Sequence, residues 1–195
     1  MTDAMGHGVD AALLATLTVG SLRNSRRAGL PLAEHAAQAN TAVVEHANAD
    51  QFVTGQLLRV DLATGKVQVV NAGHVLPVLV RDGATAEIGL DADLAFGIDP
   101  TTAYRLQGFS LLPGDRLVLL TDGMLERKAK DADVWGLLAE VGALHPREAV
   151  QVLTAAVSTV AGAELEDDAT VLVLDWYGGA DRDASAGSTD ERASR

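Results

Sequence analysis

The chain contains no cysteine among its 195 residues. That absence excludes disulfides, thiolate zinc sites and every mechanism built on a cysteine nucleophile, the cysteine-dependent phosphatases included. Basic residues are scarce too: 15 Lys and Arg stand against 27 Asp and Glu, for a formal charge of −12 and a pI near 4.6. A surface for nucleic acid or for an anionic membrane needs cations to neutralise phosphates, so neither partner is expected. Cation binding suits the balance better. No apolar run approaches the roughly 18 residues of a membrane span, and the first residues lack the basic and apolar regions of a secretion signal. A cytoplasmic location is therefore expected. What the chain does have is apolar content, 48% of its residues, enough over this length for one core of ordinary size and so for one domain.

Periodicity divides the chain into blocks. Val9, Leu13 and Leu17, with Leu14 beside them, recur at helical spacing, and Arg23, Arg26 and Arg27 suit the negative end of that helix. Gly29 and Pro31 stop it and open a second helix from Leu32 to about Ala47, with Ala36, Ala39, Val43 and Val44 on a narrow face. From Phe52 the period becomes that of strands: Phe52 to Val60, a turn at Ala63-Thr64-Gly65, then Lys66 to Asn71. Strands are predicted again at Val75 to Arg81 and Ala86 to Ile88, and a hairpin about Pro113-Gly114 joins Thr102–Leu111 to Arg116–Thr121. Helices return at Val134–Leu144 and Pro146–Ala161, and a strand over Ala169–Tyr177 closes the domain, which spans 1–177. Residues 178–195 have no apolar periodicity and read as a disordered tail. The order of the blocks predicts an α+β layered sandwich of antiparallel strands between helix pairs.

Three aspartate motifs sit where elements meet. Asp3-Ala4-Met5-Gly6-His7-Gly8 places a carboxylate just before a helix, with glycines that let the backbone turn tightly; taken alone it is equally a glycine-rich helix entry. Thr121-Asp122-Gly123 follows the apolar run Leu117-Val118-Leu119-Leu120, so Asp122 emerges rigidly from a buried strand, although Asp-Gly is also common turn chemistry. Asp167-Asp168-Ala169-Thr170 precedes Val171-Leu172-Val173-Leu174; two adjacent carboxylates repel, and a cation stabilises both, while a solvated acidic turn is the plainer alternative.

Together with Phe52-Val53-Thr54, Asp61-Leu62-Ala63-Thr64-Gly65, Val70-Asn71-Ala72-Gly73-His74, Gly97-Ile98 and Pro113-Gly114-Asp115-Arg116-Leu117, these motifs resemble one family in order and spacing. It is the metal-dependent protein phosphatases of the type 2C (PPM) superfamily, in the bacterial branch typified by the sporulation phosphatase SpoIIE and by stress-response phosphatases that act on anti-sigma-factor antagonists. The resemblance implies a four-layer αββα sandwich of two antiparallel sheets flanked by helix pairs. It also implies a centre for two ions, Mn²⁺ or Mg²⁺, with Asp3 and Asp122 as bridging ligands, the Ala4 carbonyl as a backbone ligand, and Asp167 as a terminal ligand with Asp168 as its alternative. Water activated between the ions would then attack phosphoserine or phosphothreonine directly, and His7 is the sequence's nearest group to protonate the leaving alkoxide. The substrate so implied is a phosphorylated regulatory protein, an anti-sigma-factor antagonist.

His74 is expected to hydrogen-bond across the hairpin, and His35, His46 and His145 to lie on helix surfaces or ends. Family members carry two further strands before the Asp3 motif, so the chain is expected to lack the first strands of its sheet, an artefactually short start being the favoured explanation. The alternative function is a non-catalytic module of the same fold that binds a partner protein.

Overall fold

The computed structural model describes residues 1–48, 50–125, 133–161 and 169–179. Its order is β1 (Thr2–Ala4), α1 (Val9–Arg27), α2 (Leu32–Val44), β2 (Val53–Val60), β3 (Lys66–Ala72), β4 (Val78–Arg81), β5 (Ala84–Glu87), β6 (Gln107–Ser110), β7 (Arg116–Leu120), α3 (Val134–Glu140), α4 (Pro146–Ala161) and β8 (Val171–Asp175). The strands form two antiparallel sheets, β1-β2-β3-β6 and β5-β4-β7-β8.

Alternation along the strands sorts the core into three layers of contact. One face of the first sheet gives Val53, Leu57, Val70 and Ala72 to the α1–α2 pair, where Leu14, Leu32, Ala36, Ala39 and Val43 meet them. One face of the second gives Val78, Val118 and Leu120 to α3 and α4, against Leu138, Ala149, Leu153 and Val157. Between the sheets lie Val67, Leu111, Leu117, Leu119 and Trp176. The result is the four-layer αββα sandwich. It also explains the apolar run of β7: with a helix layer on one side and a sheet on the other, all of Arg116–Leu120 is buried, and a strand covered on both faces loses its polar alternation.

Four sequence expectations are corrected. Val9 and Leu13 are 84% and 52% exposed, and α1 instead buries Ala11, Leu14, Thr18 and Ser25. This stripe of mostly small residues lets α2 approach closely, and the Thr18 hydroxyl satisfies itself on the Leu14 carbonyl. His35, read as a surface residue, is only 6% exposed on the inner face of α2. The predicted hairpin about Pro113-Gly114 is a crossing between sheets, since β6 pairs with β3 while β7 pairs with β4 and β8. Asp115 anchors that crossing: its buried carboxylate accepts from the Leu112 N–H and from the Arg81 guanidinium. Finally, the helix predicted to reach Leu144 ends as α3 at Glu140 and continues as a short 3₁₀ turn over Val141–Ala143. No helix among the described residues is long and apolar enough to cross a membrane.

Candidate metal centre

Asp3 sits in the middle of β1, paired with Thr54 of β2. Met1 exchanges bonds with Gln56, and the Met5 N–H donates to the Phe52 carbonyl, so residues 1, 3 and 5 turn their polar backbone toward β2. Thr2 and Ala4, one residue out of phase, turn theirs the other way, off the edge of the sheet. Val53, which faces Ala4, bonds instead to Phe96 on its far side. The Ala4 carbonyl is thus an oxygen directed outward one residue from the Asp3 carboxylate.

Asp122 follows β7 and opens a single 3₁₀ turn, Asp122–Met124. Its neighbours hold it. The Thr121 N–H donates to the Thr170 carbonyl while the Thr170 N–H donates to the Thr121 hydroxyl at 2.8 Å, and Gly123 and Met124 are buried, Met124 against the core under α3 and α4. The Asp122 side chain itself is exposed, and its carboxylate accepts no hydrogen bond among the described residues. Asp167 and Asp168 lie outside the described residues; the described chain resumes at Ala169, beside the Thr121–Thr170 clasp. His7 lies in the exposed bend between β1 and α1.

Beside Thr54, the residue paired with Asp3, stands His74. Gly73, in the left-handed region at φ 65°, turns the chain after β3, and its backbone bridges to Gly55. The His74 N–H then caps onto Asn71 Oδ1 at 2.8 Å, and Nδ1 lies 2.9 Å from Thr54 Oγ1. The buried ring also feels the Leu120 carbonyl and the charge of Asp122. Nε2 is enclosed without a hydrogen bond of good geometry. Burial, and after it the Met1 ammonium, push the imidazole down to about 4 against the opposing pull of Asp122 and the Leu120 carbonyl. The ring is accordingly neutral at neutral pH.

Among the described residues no three His, Asp or Glu side chains converge into a cation cage. The donors present nonetheless fit a hard divalent cation: carboxylates at Asp3 and Asp122 and an outward carbonyl at Ala4 make an all-oxygen set, with no soft ligand beside it. The expected cross-hairpin bond of His74 is present. What sequence reasoning missed is the partner of that bond, Thr54, and the Asn71 side chain that caps the His74 N–H. The signal was available in Phe52-Val53-Thr54 and Asn71-Ala72-Gly73-His74, two matched segments to which no chemistry had been attached.

Two antiparallel sheets packed between helix pairs, with aspartates on an edge strand and at the end of a buried central one, define the class of PP2C-type (PPM) protein phosphatase domains. Within that class the chain belongs to the family of stage II sporulation protein E (SpoIIE), whose model matches residues 1–177. Solved structures agree on the fold. The RsbU and RsbW domains of Rv1364c from Mycobacterium tuberculosis match at 22% identity and a TM-score of 0.76, over 91% of this chain and 52% of theirs. The PP2C phosphatase domain with a fragment of the regulatory domain of SpoIIE from Bacillus subtilis matches at 20% and 0.72, over 88% and 52%. The PPM Ser-Thr phosphatase MsPP from Mycobacterium smegmatis, in complex with cacodylate, matches at 24% and 0.71, over 89% and 86%. The chain therefore spans about half the length of the first two.

Proposed function

We propose that this protein hydrolyses phosphoserine or phosphothreonine on a regulatory protein, with an anti-sigma-factor antagonist as the substrate class and the cytoplasm as its location. The observation that carries the reading is the placement of two aspartates in a SpoIIE-family domain: Asp3 on edge strand β1 of one sheet and Asp122 at the end of the buried central strand β7 of the other. Two carboxylates brought toward one another repel when ionised, and a bound cation removes that penalty. Asp3 and Asp122 would hold the ions with the Ala4 carbonyl, and Asp167 or Asp168 would complete the set. Mn²⁺ or Mg²⁺, when bound as a pair, supplies charge neutralisation at the phosphoryl oxygens and an activated water.

The chain's own groups do the rest. The outward Ala4 carbonyl and the exposed Asp122 carboxylate leave one side of the centre open to a phosphate group. His7, on the exposed bend four residues after Asp3, is the group assigned to deliver a proton to the departing serine or threonine oxygen. With water as the nucleophile, no covalent phosphoenzyme is needed. The test is Mn²⁺-stimulated phosphate release from p-nitrophenyl phosphate and from a phosphorylated anti-sigma-factor antagonist, with Asp122→Ala as comparison. A folded protein that is inactive at millimolar Mn²⁺, and binds the ion no better than Asp122→Ala in calorimetry, would be a partner-binding module instead.

A further inference from the structure

α1 carries on its solvent side a stripe that the fold does not use. Val9, Leu13, Thr16, Gly20, Arg23 and Arg27 follow one another at steps of three or four residues and so share one face of the helix, opposite the face that buries Ala11, Leu14, Thr18 and Ser25. The stripe changes character along its length. Its first turns are apolar: Val9 is the most exposed large hydrophobic side chain among the described residues, and Leu13 is exposed beside it. Thr16 and Gly20 then border a groove that Gln38 and Ala42 of α2 line from the other side. Its last turns are cationic, for Arg23 and Arg27 are exposed and form no ion pair among the described residues. The helix dipole accounts for cations in a last turn, but not for large apolar side chains held in water at the first.

Resting on the phosphatase reading above, we infer that this stripe docks the phosphoprotein substrate, with an apolar patch of that protein on Val9 and Leu13 and its acidic side chains on Arg23 and Arg27. Place argues for it first. The apolar end starts at the candidate centre, since only the exposed bend 5–8 separates Val9 from Asp3 and Ala4, and α1 packs against β1. From Val9 to Arg27 the helix rises about 27 Å, and a protein partner covers roughly 800 Å², a patch about 30 Å across. One partner can therefore span the stripe while its phosphorylated residue stands at the centre. Charge argues for an acidic occupant. A chain at −12 repels an acidic protein over most of its surface, so arginines free of internal carboxylates supply attraction and orientation where they stand. A second copy fits poorly: packed antiparallel it sets arginines against Val9 and Leu13, and packed parallel it sets arginine against arginine. Cations at the centre recognise a phosphate and not the protein that carries it, so selection among phosphoproteins needs contacts of this kind away from the phosphate.

Steady-state kinetics with Mn²⁺ on two substrates test the assignment: p-nitrophenyl phosphate, which has no surface to dock, and the phosphorylated anti-sigma-factor antagonist. Two double variants, Val9→Gln with Leu13→Gln and Arg23→Gln with Arg27→Gln, replace exposed side chains by a good helix former and so keep α1. Each should raise KM for the phosphoprotein about ten-fold and keep kcat on both substrates within about two-fold. Raising salt from about 50 to about 200 mM should raise that KM in wild type and much less in the arginine variant. A phosphoprotein KM that neither double variant moves, a loss that is equal on both substrates, or a wild type that cleaves p-nitrophenyl phosphate alone would overturn the docking stripe. So would a wild-type dimer that Val9→Gln with Leu13→Gln dissociates in sedimentation, which would give the face to a second copy. Wild-type protein with no Mn²⁺-stimulated release from p-nitrophenyl phosphate would instead remove the proposed function, and this inference with it.

Discussion

Replacing Arg116 with methionine should destabilise the fold by about 3 kcal/mol. The guanidinium is 4% exposed at the start of β7. It donates from Nε and Nη2 to the two carboxylate oxygens of Asp175, at 2.6 and 2.8 Å, from Nη1 to the Val141 carbonyl at 2.6 Å and from Nη2 to the Leu144 carbonyl at 2.5 Å. Methionine fills comparable volume and makes none of these bonds, leaving a carboxylate and two carbonyls without their donor. Removing one partner of a buried pair costs roughly 3–5 kcal/mol. The lower end applies because the Asp175 side chain keeps 15% exposure and the Tyr177 hydroxyl at 3.3 Å. At about 2–4 °C per kcal/mol for a chain of this size, the melting temperature should fall by about 6–12 °C. Urea titration can follow the fluorescence of Trp176, buried next to Asp175. The double variant Arg116→Met, Asp175→Leu should recover part of the loss, because no unpaired charge then remains. Arg116 holds the Asp175 carboxyl below the ordinary carboxylate range, so the pair's contribution is complete above that range and disappears as pH falls through the depressed value. The difference between wild type and Arg116→Met should therefore shrink toward pH 2. A single variant that loses less than about 1 kcal/mol, or a double variant no better than the single, would refute the reasoning.

Gly65→Ala should cost at least about 2 kcal/mol, since a Cβ there would lie 2.6 Å from the Leu111 carbonyl and 3.0 Å from Trp176 Nε1, on backbone at φ 71°; chemical denaturation measures it. Asp122→Ala should change stability by less than about 0.5 kcal/mol, because the carboxylate is exposed and accepts no bond among the described residues, while Mn²⁺-dependent phosphate release falls about 100-fold or more. Stability of the metal-free protein should decline as pH falls from about 6.5, where unfolded histidine titrates, to about 4, where buried His74 does, because the unfolded chain binds the proton first. Melting temperatures of wild type and Thr54→Val across that window check the attribution, as the slope should be smaller wherever the ring is less enclosed.

The elements that a local pattern can specify were legible. The β2–β3 hairpin is fixed by alternation around the Ala63-Thr64-Gly65 turn, where the Ala63 N–H donates to the Asp61 carboxylate, and the break between α1 and α2 follows from Gly29 and Pro31. What depended on distant partners was not. The inward face of α1 mixes Leu14 with the small residues Ala11 and Thr18, while Val9 and Leu13 point outward, an arrangement that close approach of α2 selects. The β6–β7 segment has the turn chemistry of a hairpin, yet the buried Asp115–Arg81 pair draws β7 into the other sheet. At the site, Asp122 was readable from the buried strand that presents it. Its relation to Asp3 was not, because the two lie in different sheets with 118 residues of chain between them.

β8 is held at both ends by groups of different chemistry. Its entrance is clasped where Thr170 meets Thr121, and its exit is gripped where Asp175 meets Arg116. The four residues between, Val171 to Leu174, therefore act as a ruler laid along β7. Adding or deleting a single residue would reverse every side chain from one face to the other, exchanging Val171 and Val173 on the helix side for Leu172 and Leu174. It would also break one of the two fastenings, since both cannot be met at another length. Changes in chain length at this strand are thus predicted to be excluded, while substitutions that keep the length have room: Leu172 is 47% exposed.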